Sequence, residues 1–291
     1  MALPRIGVVI VTMGTRPREL KALLDSVEKQ DVTAARVVLV GNATPLTDVP
    51  SEATKIPLEE NLGCPGGRNA GLKVLRESGE VDVVIELDDD GLLIADDVFH
   101  RVQQLFATDP GLGIVGFRVA DEHGHTERRW VPRLRADDPM HRGPVTAFLG
   151  GGHAFSMPML KEIGDWPAQF FFGHEETDLA WRALDAGWKI LYEPELVLQH
   201  PRTSPARHAV YYRYTARNRV WLARRRLPFP LIPAYLGTWA LLNLVRIRSA
   251  SGLKAWAAGF VEGMRVDCAP RRPMKWRTVW RMTRLGRPPI I

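Results

Sequence analysis

The sequence predicts an α/β fold, a mostly parallel sheet flanked by helices, followed by a basic helical C-terminal region. Three observations carry that reading. Short, wholly apolar runs alternate with helix-spaced ones through the first 200 residues, the pattern of β-α-β units whose strands are buried on both faces. With 45% hydrophobic residues in 291, the chain can build one large core or one domain with an appendage. Charge is divided unevenly: Arg202 to Ile291 holds 19 Lys and Arg against 2 Asp and Glu, a balance of +17, whereas the preceding residues balance at −11.

The elements follow in order. Ile6 to Val11 is a continuous apolar run and reads as a buried strand. Pro17 to Lys29 has helical spacing, with Leu20, Leu23, Leu24 and Val27 on one side. Val37 to Val40 is a second strand, Arg68 to Ser78 a helix, Val81 to Leu87 a third strand and Asp96 to Phe106 a helix. Arg118 to Pro144 is rich in charge, Gly and Pro and reads as irregular. Glu175 to Ala186 is a helix stopped by Gly187, and Glu195 to Gln199 is strand-like. Leu227 to Val245 has no charged residue over 19 positions, near the minimum for crossing a bilayer. Pro228, Pro230 and Pro233 argue against a simple spanning helix, and Arg224-Arg225-Arg226, Arg246 and Arg248 flank the segment. It either rests on an anionic membrane surface or packs on protein, in the body or in a homodimer interface. Cys64 and Cys268 cannot make a disulfide framework, and Met1 to Arg5 lacks the pattern of a secretory signal. The expected location is cytoplasmic, peripheral on the inner face of the cell membrane in the first of those two readings.

Four clusters carry chemistry. In Glu86-Leu87-Asp88-Asp89-Asp90-Gly91 three aspartates follow a buried strand. Their mutual repulsion is relieved by a divalent cation, and hard oxygens suit Mg²⁺ or Mn²⁺; a solvated acidic turn is the plainer reading. Asn61 to Gly71 is a Gly-rich loop opening a helix, with Arg68 as a fixed fork for phosphate. Its glycine spacing fits neither a P-loop nor the dinucleotide fingerprint, and a tight turn explains it equally well. In Phe170 to Leu179, aromatic residues lead into Glu175-Glu176 and Asp178 at a helix start, as a general base beside an apolar wall or as dipole-favoured acids. His200 closes the last strand-like run and becomes a metal-ligand candidate only in company with the aspartates.

The order of these pieces resembles the family 2 glycosyltransferases of the GT-A fold, over about residues 5–225. The matching pieces are Val9 to Thr12, Asn61 to Leu72, Leu87 to Asp90, Gly150-Gly151-Gly152-His153, Phe171 to Arg182 and His200. The resemblance implies an inverting, metal-dependent transfer of a sugar from a UDP, GDP or dTDP donor to an acceptor hydroxyl. The acceptor would belong to synthesis of a cell-surface polysaccharide, a glycolipid (hence lipid-linked) or a natural-product glycoside. It implies a catalytic domain over 1–225, with a nucleotide-binding part to about 120 and an acceptor-binding part after it, then a C-terminal region over 226–291. Asp90 and His200 would hold Mn²⁺ or Mg²⁺, and Asp88 would face the ribose or the metal. Thr12, Arg16, Asn42, Arg68 and Asp89 would lie along the nucleotide sugar, and Gly151, Gly152 and His153 beside the sugar and acceptor. Glu176 would be the base and Glu175 its understudy. Two departures stand out: Gly41 replaces an aspartate that many relatives hold against the base, and Glu176 replaces an aspartate. Tyr211 to Arg219 resembles the Arg-Asn stretch of rhamnosyltransferase-like members, which implies a dTDP-rhamnose donor.

Two other classes fit parts of the sequence. A sugar nucleotidyltransferase shares the layout and the metal but releases pyrophosphate. A non-catalytic binder of anionic polymers would explain the basic tail but leave both acidic clusters without a role, so no nucleic-acid partner is expected.

Overall fold

The computed structural model describes residues 2–49, 51–134, 138–202 and 209–291. The strands are β1 (Ile6–Thr12), β2 (Arg36–Asn42), β3 (Thr54–Leu58), β4 (Val83–Asp88), β5 (Leu92–Leu93), β6 (Leu112–Ala120), β7 (Gly143–Pro144), β8 (Gly152–Ser156) and β9 (Lys189–Gln199). The helices among them are α1 (Pro17–Glu28), α2 (Gly63–Ser78), α3 (Val98–Thr108), α4 (Met157–Ile163) and α5 (Glu175–Ala186). After them come α6 (Ala209–Arg226), α7 (Leu231–Arg246), α8 (Ala250–Arg265) and α9 (Trp276–Arg284).

These strands form one sheet in the order β3-β2-β1-β4-β8-β6-β9-β5, with β7 also on β9. The long pairings are mostly parallel; β8 runs antiparallel to both β4 and β6, and the two-residue strands β5 and β7 run antiparallel to β9. Strands β1, β2, β4, β6 and β9 therefore point the same way. Their carboxyl ends and the start of β8 meet along one edge, where ligands of open α/β sheets bind.

One face of the sheet is covered by α1 and α3, whose Leu20, Leu23, Val27, Phe99 and Val102 pack on Ile10, Leu39 and Ile85. Each fully buried aliphatic side chain contributes about 1.5–3 kcal/mol. The other face is covered by α2, α4 and α5, and the same apolar cluster continues through Trp221, Tyr235, Met274 and Val279 of the C-terminal region. The expected boundary at residue 225 thus falls inside α6, and the helices beyond it share the core of the body.

Several elements differ from expectation, for local reasons. Helix α2 starts at Gly63, five residues before Arg68. Gly67 and Gly71 let it lie close on the sheet: a Cβ at either would come within 2.7 Å of Val11 or 2.5 Å of Val9. Strand β9 is eleven residues long, and β6 ends inside the segment expected to be irregular; residues 135–137 of that segment lie outside the described residues. Glycines at 113 and 116 break the apolar run of β6, making room for Met159, Trp188 and Phe148. Among the described residues no helix is long and apolar enough to cross a membrane. Of the apolar segment, α7 buries Tyr235 against the body, while Leu241, Leu244 and Val245 remain exposed.

Candidate active site at the carboxyl edge of the sheet

Strand β4 delivers the aspartates, and each side chain goes a different way. Asp88 accepts from Arg68 Nη2 at 2.8 Å. Asp89 accepts from the Thr12 hydroxyl at 2.6 Å and from Arg16 at 3.2 Å, so it is turned back toward the end of β1. Asp90 lies 2.8 Å from Arg16 Nη1 and 3.2 Å from His200 Nε2. Burial raises Asp89 above its usual range, against Thr12 and Arg16. Burial also opposes the charge on Asp90, but His200 and Arg16 outweigh it and hold that carboxylate below its usual range.

His200 reaches this cluster because β9 runs beside β6 to its end, where the His200 amide donates to Ala120 O at 2.8 Å. Its Nδ1 is 2.9 Å from Pro201 O, a geometry that puts the ring proton on Nδ1 and leaves the Nε2 lone pair facing Asp90. Two acceptors face each other there unless a proton or a metal lies between them. One donor atom each from Asp88, Asp90 and His200 fall within 4.8 Å of one another. Two carboxylate oxygens with an imidazole nitrogen suit Mn²⁺ or Mg²⁺. Gly151 keeps this corner open: its Cβ would stand 3.5 Å from Asp88 Oδ2.

Arg68 is fully buried and organises the other half of the site. It bonds Asp88 and Gly150 O, lies 3.6 Å from Glu86 and stacks 5.0 Å over Trp166, while its Nη1 is unpartnered among the described residues. Glu86 is itself buried, accepting from Trp166 Nε1 and lying 2.9 Å from His153 Nε2. His153, expected beside the sugar and acceptor, is instead wholly buried, with Nδ1 taken by Leu149 O. Its part is to fix Glu86 and, through it, Arg68. Asn42, expected along the nucleotide, is spent on the chain: it donates to Asn61 and Gly63 O and accepts from the Leu62 amide. The Gly-rich loop does not offer its first helical amides to an anion either, since Gly63 N donates to Asn61 and Cys64 N to Phe171 O.

The two glutamates open α5 in different surroundings. Glu175 is 2% exposed, its Oε2 has no partner among the described residues, and burial together with the charge of Glu176 pushes it up to about 8. It therefore holds a proton at neutral pH. Glu176 is partly exposed and presses on Gly150, whose missing side chain leaves room for the carboxylate. Burial raises Glu176 too, but Arg68 opposes that rise. Of the pair, Glu176 is the one that ionises first. Burial pushes the neighbouring Cys64 thiol up, so no thiolate forms near neutral pH.

A brace that the sequence did not disclose holds this turn. Asn218 of α6 donates to Phe170, Phe172 and Gly173 carbonyls, and Arg217 to Phe170 O. Between those carbonyls and the glutamates, Phe171 and His174 take left-handed backbone angles, which side-chain-bearing residues adopt at a cost. Asp178 is buried and accepts from Arg182 and Arg226, tying α5 to α6. The Arg-Asn stretch that resembles rhamnosyltransferases thus supports the loop before Glu175 from behind. Its signal in the sequence was the Arg217-Asn218-Arg219 run directly before the apolar Val220, Trp221 and Leu222.

No family profile and no curated protein matches the chain in sequence. Solved structures do match in fold. GalNAc-T7 with UDP, GalNAc and Mn²⁺ is 15% identical, with a TM-score of 0.64 over 90% of this chain; the chain spans 56% of its length. The mannosyltransferase PcManGT from Pyrobaculum calidifontis, in complex with GDP-Man and Mn²⁺, is 20% identical (TM-score 0.59), covering 92% of this chain and 77% of its own. S. aureus TarS 1–349 is 15% identical (TM-score 0.61), covering 90% and 81%. The mixed sheet and its helical layers therefore have the fold of the GT-A glycosyltransferases.

Proposed function

We propose that this protein is an inverting, metal-dependent glycosyltransferase that moves a sugar from a nucleotide diphosphate to an acceptor hydroxyl. The observation that carries the proposal is the pairing of two unlike centres on one sheet edge: the Asp88-Asp90-His200 group and the ionisable Glu176 beside Arg68. The fold neighbours bound to UDP or GDP-Man with Mn²⁺ support the donor class.

A divalent cation on Asp88, Asp90 and His200 supplies Lewis-acid stabilisation of charge on the leaving diphosphate. The chain's own groups do the rest. Glu176 accepts the proton of the acceptor hydroxyl as its oxygen attacks the anomeric carbon, a role worth about 10²–10⁴-fold. Glu175 keeps its proton, so no second carboxylate charge stands beside the base. Arg68 orients Asp88 and, through Gly150, the floor under Glu176. Arg16, with its side chain 46% exposed, is free to swing from Asp89 and Asp90 toward a phosphate. With Glu175 protonated, Glu176 is left as the base of the pair, which favours direct displacement and inversion.

The basic C-terminal region with the exposed face of α7 favours an acceptor met at an anionic membrane surface. A thermal-shift screen of UDP, GDP and dTDP sugars with Mn²⁺ tests the donor, because a ligand that binds only the native state must stabilise it. Stabilisation by one nucleotide sugar, with transfer and no pyrophosphate released, is expected. No stabilisation by any of them, or pyrophosphate release from a nucleoside triphosphate, would refute the proposal.

A further inference from the structure

A second polar recess lies apart from the Asp-His group, between the first turn of α5, α6, α7 and the segment after α9. Its volume is about 230 Å³, below the roughly 300–1,000 Å³ of sites for drug-sized ligands. Three side-chain atoms buried from water have no hydrogen-bond partner among the described residues and belong to its lining: Thr146 Oγ1, His174 Nε2 and Trp239 Nε1. Thr146 is itself only 3% exposed. A native protein rarely leaves three such atoms together without something to satisfy them.

The charged side chains that line it are of one sign. Arg219 and Arg287 both line the recess, and among the described residues neither has a carboxylate within ion-pair distance. Arg219 is fixed in place, 3.6 Å over the Trp239 ring and 3.3 Å from the Tyr235 hydroxyl. Burial works against the charge on both guanidiniums and on His174, which feels both of them. Two desolvated cations without an anion are costly, and a guanidinium fork matches phosphate oxygens. Two forks, a hydroxyl and an indole N–H offer more donors than a carboxylate can accept, whereas a phosphate accepts them all.

We propose that this recess binds the phosphate group of a phosphorylated acceptor. His174 immediately precedes Glu175, and Thr177, which follows Glu176, also lines the recess. A phosphate held there therefore sits against the same helical turn as the base. Its role as part of the acceptor rests on the glycosyltransferase reading; the binding of phosphate does not. Two sources share this chemistry, a soluble phosphorylated acceptor and a lipid phosphate whose chain follows α7 to its exposed Leu241 and Leu244.

The test titrates the whole protein calorimetrically with inorganic phosphate, farnesyl phosphate and farnesol. EDTA is present so that no metal draws the anion to the aspartates. Both phosphates are expected to bind one to one, and farnesol is not. Arg219→Gln and Arg287→Gln should each weaken phosphate about tenfold or more. Thr146→Val, nearly isosteric and without a charge change, should weaken it less with unchanged melting. Tighter binding of farnesyl phosphate than of phosphate assigns the lipid source, and equal binding the soluble one. No phosphate binding by the wild type, or unchanged affinity in Thr146→Val and both arginine variants, overturns the proposal. Because no nucleotide sugar is used, failure here is distinct from failure of the transferase reading.

Discussion

Replacing Glu175 by Gln removes a proton-binding group without changing shape, and the surroundings of Glu175 say what should follow. Its carboxyl is buried, its Oε2 has no partner among the described residues, and burial with the charge of Glu176 pushes it from the ordinary 4.5 up to about 8. The folded state therefore binds this proton more tightly than the unfolded chain. Stability from the group is complete below about pH 4.5 and is lost progressively as pH rises to about 8. A displacement of that size corresponds to about 5 kcal/mol at its ceiling, so a loss of a few kcal/mol is expected across the window. Glu175→Gln stays neutral throughout and should not show that loss. Urea unfolding at a series of pH values checks this: the two proteins should match near pH 4, and the variant should be the more stable at pH 8.5. In transfer assays the same variant should keep most of its turnover, while Glu176→Gln should lose about 10²–10⁴-fold. Parallel stability curves would refute the buried neutral carboxyl. Loss of turnover in Glu175→Gln, with Glu176→Gln active, would exchange the roles of the two glutamates.

Gly150→Ala and Gly151→Ala make a matched pair. A Cβ at 150 lands on Glu176 Oε1, whereas one at 151 meets Asp88 Oδ2 at an ordinary 3.5 Å. The first should cut kcat at least tenfold with little change in melting, because the flexible end of Glu176 yields and the base moves; the second should be milder, and kinetics with thermal denaturation compare them. EDTA should abolish transfer, Mn²⁺ should restore it, and Asp90→Asn should raise the Mn²⁺ concentration required, as activity against metal titration reads out. Asn218→Ala strips donors from three carbonyls and should cost about 1–3 kcal/mol, with kcat falling more than KM as the loop before Glu175 relaxes; unchanged kcat would show the brace to be structural only. Flotation with anionic vesicles should carry the protein in a salt-sensitive way, and equal flotation with neutral vesicles would count against the basic surface.

The frame of this fold was legible where strands are continuous and apolar. Ile6 to Val11 and Val37 to Val40 announce β1 and β2 because both faces of a parallel strand are buried. Strands β6 and β8 were not legible: Gly113, Gly116 and Gly152 interrupt their runs to admit neighbouring side chains, so the pattern breaks where tertiary packing takes over. Strand β3 sits at the sheet edge with a proline and exposed positions, and carries little periodicity to read. In the site, acidic runs after a strand and at a helix start were visible because charge clusters are costly without a purpose. What each carboxylate does was not. Asp89, Asp90 and Asp88 are consecutive, yet one is turned to Thr12, one to His200 and one to Arg68, and only the register of β4 beside β1 and β8 decides which.

The same logic sets His153 and Asn42 apart from the other residues that the resemblance singles out. Both lie at the functional edge, and both are polar, but each has its hydrogen-bonding capacity consumed by the chain. A buried polar side chain that is fully partnered positions something else; several unpartnered atoms gathered in one recess are open to a ligand. By that criterion Glu86, His153, Trp166 and Asn42 form the supports, with Arg68 passing their rigidity to Asp88. Thr146, His174 and Trp239 fall on the other side of it, around two arginines that make no ion pair among the described residues. The chain thus pairs an acidic cluster suited to a cation with a separate basic recess suited to an anion, and His174 and Thr177 of that recess flank Glu175 and Glu176 in sequence. That separation is what an enzyme needs if donor and acceptor both bring phosphate and must not exchange places.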